Sequence, residues 1–376
     1  MSILEQASVA PVTASQQRAD RWAERVRYVP PAWFSTVMGT GILAVVAASL
    51  AQRPWAGPTT ARVLDAVAVA TWLLATALLL AVATGAALHL RWHPGTARGH
   101  LRHPVRGPFV GAAPMALLTV AAGAVLVGPG VVGESVAVDL ALVLWPAGTL
   151  LGLTTALLAP SRLRALRDAG QEPEPFAGWL MPVVPPMVCA ATGPLLLPHV
   201  AASLRGALLV GCLVLAVLTL LLSLRVGGLL VGRVRSQGLG PAALVPTWWI
   251  VLGPLGQSAT AAHHLGAAAP DPALGRAVAL GYAAPVLALA LVWLAVCAAR
   301  TARALRTGLP FALTWWAFTF PLGTVVTGTV AVADLTGWWG LDALAGGLAA
   351  LLVAAWALVA VRTLRGVYSG SLSVPV

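Results

Sequence analysis

Residues 315–332 read WWAFTFPLGTVVTGTVAV, an apolar run that carries a proline, two glycines and four threonines inside what would be a membrane span. Residues 63–90 read VLDAVAVATWLLATALLLAVATGAALHL, smoother and dominated by Leu, Ala and Val. A helix needs about 20 apolar residues to cross a hydrocarbon core of roughly 30 Å, and both runs reach that with their flanks. They differ in what they ask of their surroundings. An interior proline removes a backbone hydrogen bond, and in lipid the freed carbonyl must find another partner, so broken helices belong against protein or a water-filled cavity. The smooth run can face lipid.

The contrast repeats along the chain. Ten apolar runs fall at about 31–51, 60–90, 107–128, 134–158, 177–198, 203–231, 241–266, 272–299, 311–334 and 340–362. Odd runs start near 31, 107, 177, 241 and 311, a spacing that predicts five helical hairpins of similar size. They include GPFVGAAPMALLTV (107–120), WLMPVVPPMVCAATGPLLLP (179–198) and VPTWWIVLGPLGQSATAAHH (245–264), broken by Pro, Gly, Ser and Thr. Even runs are mostly unbroken, with Pro146 and Pro285 as exceptions. The pattern predicts an all-α polytopic membrane protein of ten transmembrane helices, odd helices forming an inner pore ring. The competing reading is that small residues only let helices pack closely.

Composition agrees. The 376 residues are 59% apolar and 9% charged, whereas a soluble domain carries about 25% charged residues. That excludes an ordinary soluble enzyme and a disordered chain. Residues 1–28 read as a cytoplasmic polar tail without the apolar core of a signal peptide, 29–366 as the membrane domain and 367–376 as a cytoplasmic C-terminal tail. Cys189, Cys212 and Cys297 lie in apolar runs without metal-ligand spacing and read as buried thiols.

The formal charge of +11 comes from 23 arginines and no lysine. Nineteen arginines fall in the N-tail, the loops that follow even runs, and the C-tail. Only Arg53, Arg62, Arg205 and Arg276 fall on the other side. The positive-inside rule puts both termini in the cytoplasm. The charge is therefore a topology signal; no nucleic-acid partner is expected, and the lipid bilayer is the surrounding partner.

At PAWFSTVMGTGIL (31–43) and WWAFTFPLG (315–323) the chain resembles the tellurite-resistance/dicarboxylate transporter family. That family includes bacterial tellurite-resistance proteins, fungal malate permeases and sulfite efflux pumps, and plant guard-cell slow anion channels. The first motif resembles its opening helix and the second its ninth, and the ten-segment plan matches over residues 28–366. The resemblance implies a homotrimer in the plasma membrane, each protomer with a pore between odd helices that a ninth-helix phenylalanine occludes. Phe320 matches that phenylalanine. By position it precedes Pro321 about halfway across its run, where a proline kink can aim a ring into a lumen.

No Asp, Glu, Arg or Lys lies mid-span in an odd run. Such groups are tolerated there only for function, and their absence predicts a neutral pore with weak anion sites. Pore-lining candidates are the hydroxyls of Thr36, Thr40, Thr192, Ser258, Thr319 and Thr324, with Gly39, Gly111, Gly193, Gly253, Gly256 and Gly323. Pro114, Pro185, Pro186 and Pro321 are candidates as helix breaks. His199, His263 and His264 are candidate protonation sites of an outer vestibule, while His89, His93, His100 and His103 read as solvated residues at the inner loop.

The function expected is anion transport by a channel-like or uniport pathway, for chloride, nitrate, sulfite or dicarboxylates. The alternatives are a proton-coupled malate carrier and a sulfite or tellurite efflux protein. An intramembrane enzyme is disfavoured. Ser258 and His263 are five residues apart, on different helix faces, and no GxSG or HExxH is present. A haem would need His199 opposite His263 or His264. No cofactor or metal is expected.

Overall fold

A computed structural model describes residue 24 and residues 26–171 and 173–372. Most of the polar N-tail, with Arg18, Arg21 and Arg25, and residues 373–376 of the C-tail lie outside the described residues. The described residues form helices and turns without a strand. The α-helices are α1 Phe34–Ala51, α2 Pro58–Trp92, α3 Pro94–Arg102, α4 Ala112–Leu126, α5 Pro129–Val132 and α6 Glu134–Asp168. They continue with α7 Pro185–Thr192, α8 Ala202–Gln237, α9 Leu252–Ala267, α10 Pro272–Arg306, α11 Phe320–Thr336 and α12 Trp339–Tyr368.

Among the described residues, eight helical stretches are long and apolar enough to cross a membrane, and the chain is an all-α polytopic membrane protein. Two further apolar stretches, at 177–199 and 242–267, are divided between 3-10 and α segments.

Burial separates the two kinds of helix. In the spans ending with α1, α4 and α11, 83%, 72% and 100% of the most apolar window is buried inside the protein, against 22–28% for α2, α6, α8, α10 and α12. Leu150, Leu224 and Val292 on that second group project outward into what a bilayer would fill. The core belongs to the segments rich in Pro and Gly. α1, α4, α7, α9 and α11 touch one another in that order, and α11 touches α1 again; each also packs against the long helix that follows it.

Each buried segment begins as a 3-10 turn and continues as an α-helix. The turns span Pro31–Trp33, Gly107–Gly111, Ala177–Leu180, Ala242–Val251 and Leu313–Phe318. This corrects the proline-kink expectation. Pro321, Pro185 and Pro186 lie in the first turn of α11 and α7, where a missing N–H costs little because that donor has no intrahelical partner. These prolines start helices inside the membrane core.

The inner-loop histidines also differ from the solvated reading. α3 folds back so that His89 and His100 are buried, their rings stacked with centroids 5.3 Å apart, and His89 Nδ1 is 2.8 Å from the Val26 carbonyl.

Candidate functional site

Two cavities lie between the five buried segments. The larger, of about 320 Å³, opens at the end bearing Arg53, His263 and Asp334. The smaller, of about 10 Å³, is lined by Ser35, Met38, Phe109, Met115, Met181, Val184 and their neighbours. Both linings draw on all five segments and on none of the long exposed helices. Among the described residues Phe320 is the one that lines both, and it is 2% exposed. It therefore borders both cavities.

The sequence around Phe320 fixes it there. A 3-10 helix has three residues per turn, so side chains at i and i+3 eclipse. Trp315 and Phe318 accordingly meet edge to face, with centroids 5.6 Å apart, and Phe318 meets Trp249 the same way at 5.2 Å. Trp316 Nε1 donates to Thr363 Oγ1 of α12 at 3.0 Å, tying the turn to its outer neighbour. At Thr319 (φ −98°, ψ −75°) the 3-10 turn gives way to α11, and Phe320 is the first residue of the new helix. The α-helix starts at Ala112, Pro185, Leu252 and Phe320 lie close in sequence to residues lining the small cavity. Helix N-termini carry partial positive charge.

The sequence-derived candidates divide. Phe320, Pro321 and Gly253 line the small cavity, and Thr192, His263 and His264 line the large one. The others are absent from both linings. Thr36 donates to the Trp33 carbonyl at 2.8 Å, and Thr319 to that of Trp316 at 2.7 Å. Thr40 accepts from Trp356 Nε1 of α12 at 3.0 Å, so it points away from the axis. Thr324 donates to the Pro321 carbonyl at 2.6 Å. Ser258 faces a separate apolar groove beside α8 and α10. His199 sits at the end of Gly193–His199, apart from His263 and His264.

The glycines are seats for neighbouring chain. A Cβ at Gly39 would overlap Thr319 and Trp316, at Gly323 the side chain of Ile42, and at Gly193 Cys212 and Trp145. A Cβ at Gly111 would overlap the Met181 carbonyl, and one at Gly256 that of Thr324. Pro114 and Pro185 pack on Gly152 of α6, and Pro186 is buried beside them.

The large cavity brings in residues that sequence reasoning passed over: Gln257, Thr260, Thr119, Thr327, Arg53 and Asp334. At its mouth Arg53, two residues past α1, is ion-paired with Asp334, and its Nε lies 2.6 Å from Asp342 Oδ1, joining the end of α1 to α11 and α12. His263 Nε2 is 3.6 Å from Asp334 Oδ2, and His264 Nδ1 is 2.6 Å from the Ala191 carbonyl. Periodicity could have found part of this set. Phe320, Thr327, Ala331 and Asp334 repeat at helical spacing, as do Gln257, Thr260 and His264.

Comparison with known proteins places this geometry in context. The family described as SLAC1, voltage-dependent anion channel, matches residues 28–364. An uncharacterised transporter of Methanocaldococcus jannaschii is 25% identical over 90% of this chain and 95% of its own length. The sulfite efflux pump SSU1 of Arthroderma otae is 25% identical over 91% and 92%, and that of Arthroderma benhamiae 27% over 80% of each chain. The chain belongs to the SLAC1 voltage-dependent anion channel family.

Proposed function

We propose that this member of the SLAC1 family is a ten-span anion transporter whose five buried segments surround a permeation pathway closed by the Phe320 ring. The observation that carries the proposal is the place of Phe320: among the described residues it alone lines both cavities between the five segments. The circular contact order of those segments and their burial support the same reading. The arginine asymmetry supports a plasma-membrane orientation with both termini cytoplasmic. The family resemblance supports a homotrimer.

The pathway suits an anion of low charge. The small cavity is neutral and largely apolar, and the helix starts near it contribute partial positive charge. Weak sites favour conduction because an ion must leave as readily as it arrives. A dicarboxylate would favour a free arginine fork. Arg53, the arginine of the large cavity, is instead engaged by two aspartates, which disfavours the malate-carrier reading. Sulfite is the specific substrate that the fungal relatives support, and the same pathway would carry it outward. The features that carry chemistry here are those of transport, and no role as an enzyme is proposed.

The test is Phe320→Ala in purified, reconstituted protein. Removing the ring joins the two cavities, so anion current should rise severalfold while the protein stays folded. Wild-type current in a well-folded Phe320→Ala protein would remove the occlusion. Reversal potentials for chloride, nitrate, sulfite and malate, taken at two pH values, then identify the ion.

A further inference from the structure

An anion in the large cavity needs hydrogen-bond donors, and nearly all of its hydroxyl protons are already committed. Thr119 donates to the Met115 carbonyl at 2.6 Å, Thr192 to Val188 at 2.8 Å and Ser49 to Val45 at 2.8 Å. Thr260 and Thr327 share a contact of 2.9 Å, and each also bonds a carbonyl of its own helix, Gly256 and Thr324. A hydroxyl that has given its proton offers lone pairs, which repel an anion. Arg53 is balanced by Asp334 and Asp342 at the mouth.

Gln257 is the buried amide of the remaining polar lining, beside Gln52, which is exposed at the mouth, and His263, whose Nδ1 is buried without a partner. Gln257 is 5% exposed, it lines the cavity, and its amide makes no hydrogen bond with any described residue. The amide opens onto the cavity and is not sealed in protein, so water or an anion there can supply the partner that a buried polar group requires. Its depth follows from helix register. Gly256 of α9 abuts Thr324 of α11 and Thr260 abuts Thr327, so Gln257 lies about one helical turn from Phe320 on the large-cavity side.

We propose that the Gln257 side-chain amide is the anion-coordinating and selectivity-determining group of the large cavity, holding a singly charged anion just outside the Phe320 partition. No hydrogen bond from a described residue fixes the orientation of the amide, so its NH₂ is free to turn toward the anion. The ligand class follows from the charge. A neutral donor stabilises an anion by hydrogen bonding alone, while the cost of stripping water grows with the square of the ionic charge. A halide, nitrate or hydrogen sulfite can be held this way; a dianion keeps its water and is disfavoured. The inference rests on the permeation reading above.

The experiment compares wild type, Phe320→Ala, and Phe320→Ala combined with Gln257→Leu or Gln257→Glu, in bilayers with chloride and nitrate as probes. Leu keeps the volume and removes the donors. It should raise the half-saturating concentration of both ions about tenfold and narrow the preference for them over sulfate. Glu, when ionised, offers only acceptors and should suppress current at neutral pH. Because Gln257 bonds no described residue and its amide opens onto the cavity, Gln257→Leu should leave the melting temperature unchanged. Anion current in Phe320→Ala whose half-saturation and selectivity are unmoved by Gln257→Leu overturns the Gln257 assignment alone. A fall in melting temperature with unmoved selectivity also overturns it, in favour of a packing role. Absence of anion current in both wild type and Phe320→Ala overturns the pathway itself.

Discussion

Gly256 is the tightest test of the packing between α9 and α11. A Cβ there would overlap the Thr324 carbonyl group and lie 2.6 Å from the Thr324 hydroxyl oxygen, where ordinary contact begins at 3.4 Å. The obstructing atoms are mostly backbone, so no rotamer change relieves them, and α9 and α11 must separate by about 1 Å. Overpacking of that kind costs about 1–3 kcal/mol. At about 2–4 °C per kcal/mol, Gly256→Ala should melt about 2–12 °C below wild type. Gly281 on α10 provides the control, because a Cβ there meets nothing within 4 Å. Gly281→Ala should match wild type or exceed it slightly, since alanine is the better helix former by up to about 1 kcal/mol. The assay is thermal unfolding of purified protein in detergent, followed by fluorescence of its 15 tryptophans. The double variant Gly256→Ala/Thr324→Ala should recover little, because it removes the hydroxyl and leaves the carbonyl. Equal melting temperatures for the two single alanine variants would refute the close approach of α9 and α11.

Two further outcomes follow from charged and titratable groups. Arg53→Gln leaves Asp334 and Asp342 without their cation. A unit charge about 8 Å from an ion is worth about 0.5–2 kcal/mol at effective dielectric constants between ~80 and ~20. Chloride uptake through the Arg53 end should therefore fall severalfold at low ionic strength and converge on wild type at high salt, while Asp342→Asn shifts it the opposite way; tracer flux against salt concentration measures both. At the opposite end, burial and then the neighbouring His89, Arg106 and His103 hold the His100 imidazole below its ordinary value. His103 is lowered likewise, by burial and then by Arg106. Bases depressed in the folded state contribute stability that is complete above about pH 6.5 and is lost as pH falls through the folded value. Hydrogen exchange in residues 93–106 should therefore accelerate, relative to its intrinsic rate, as pH drops from 8 to 5, and His100→Gln should flatten that dependence.

Much of the architecture was legible because membranes impose a binary choice. A helix without internal breaks can face lipid; one with Pro, Gly and Thr must be buried in protein. α2, α8 and α12 took the first option, as did α6 and α10 in spite of Pro146, Pro160 and Pro285, while the segments around α1, α4, α7, α9 and α11 took the second. The internal geometry of the buried segments was less legible. Proline in an apolar run signals that the hydrogen-bond ladder is interrupted but leaves open whether one helix bends or a new helix begins. At Pro321 and Pro185 a 3-10 segment precedes, so the proline occupies a first turn. The Trp315 and Phe318 pairing at three-residue spacing was the available signal. Burial of His89 and His100 depended on α3 folding back onto α2, a tertiary event that the charged loop composition did not disclose.

The hydroxyls show why the pore-lining candidates were harder to choose than the fold. In an apolar helix a Thr or Ser hydroxyl has no water to bond, so it donates to the carbonyl three or four residues back. Thr36, Thr192, Thr319, Thr324 and Ser258 all do this, whichever way they face. Hydroxyl content therefore reports an apolar surrounding as readily as a polar pathway, and it cannot by itself select lining residues. An amide behaves differently. Glutamine reaches too far to close neatly on its own turn, so a buried glutamine needs a partner from outside its helix. Gln257 has none among the described residues, and it shares a helical stripe with Thr260 and His264. A coordinating group is thus most readily sought where a polar side chain cannot satisfy itself, and that criterion sets Gln257 apart from the threonines around it, together with His263 Nδ1 in the large cavity and Ser35 Oγ in the small one.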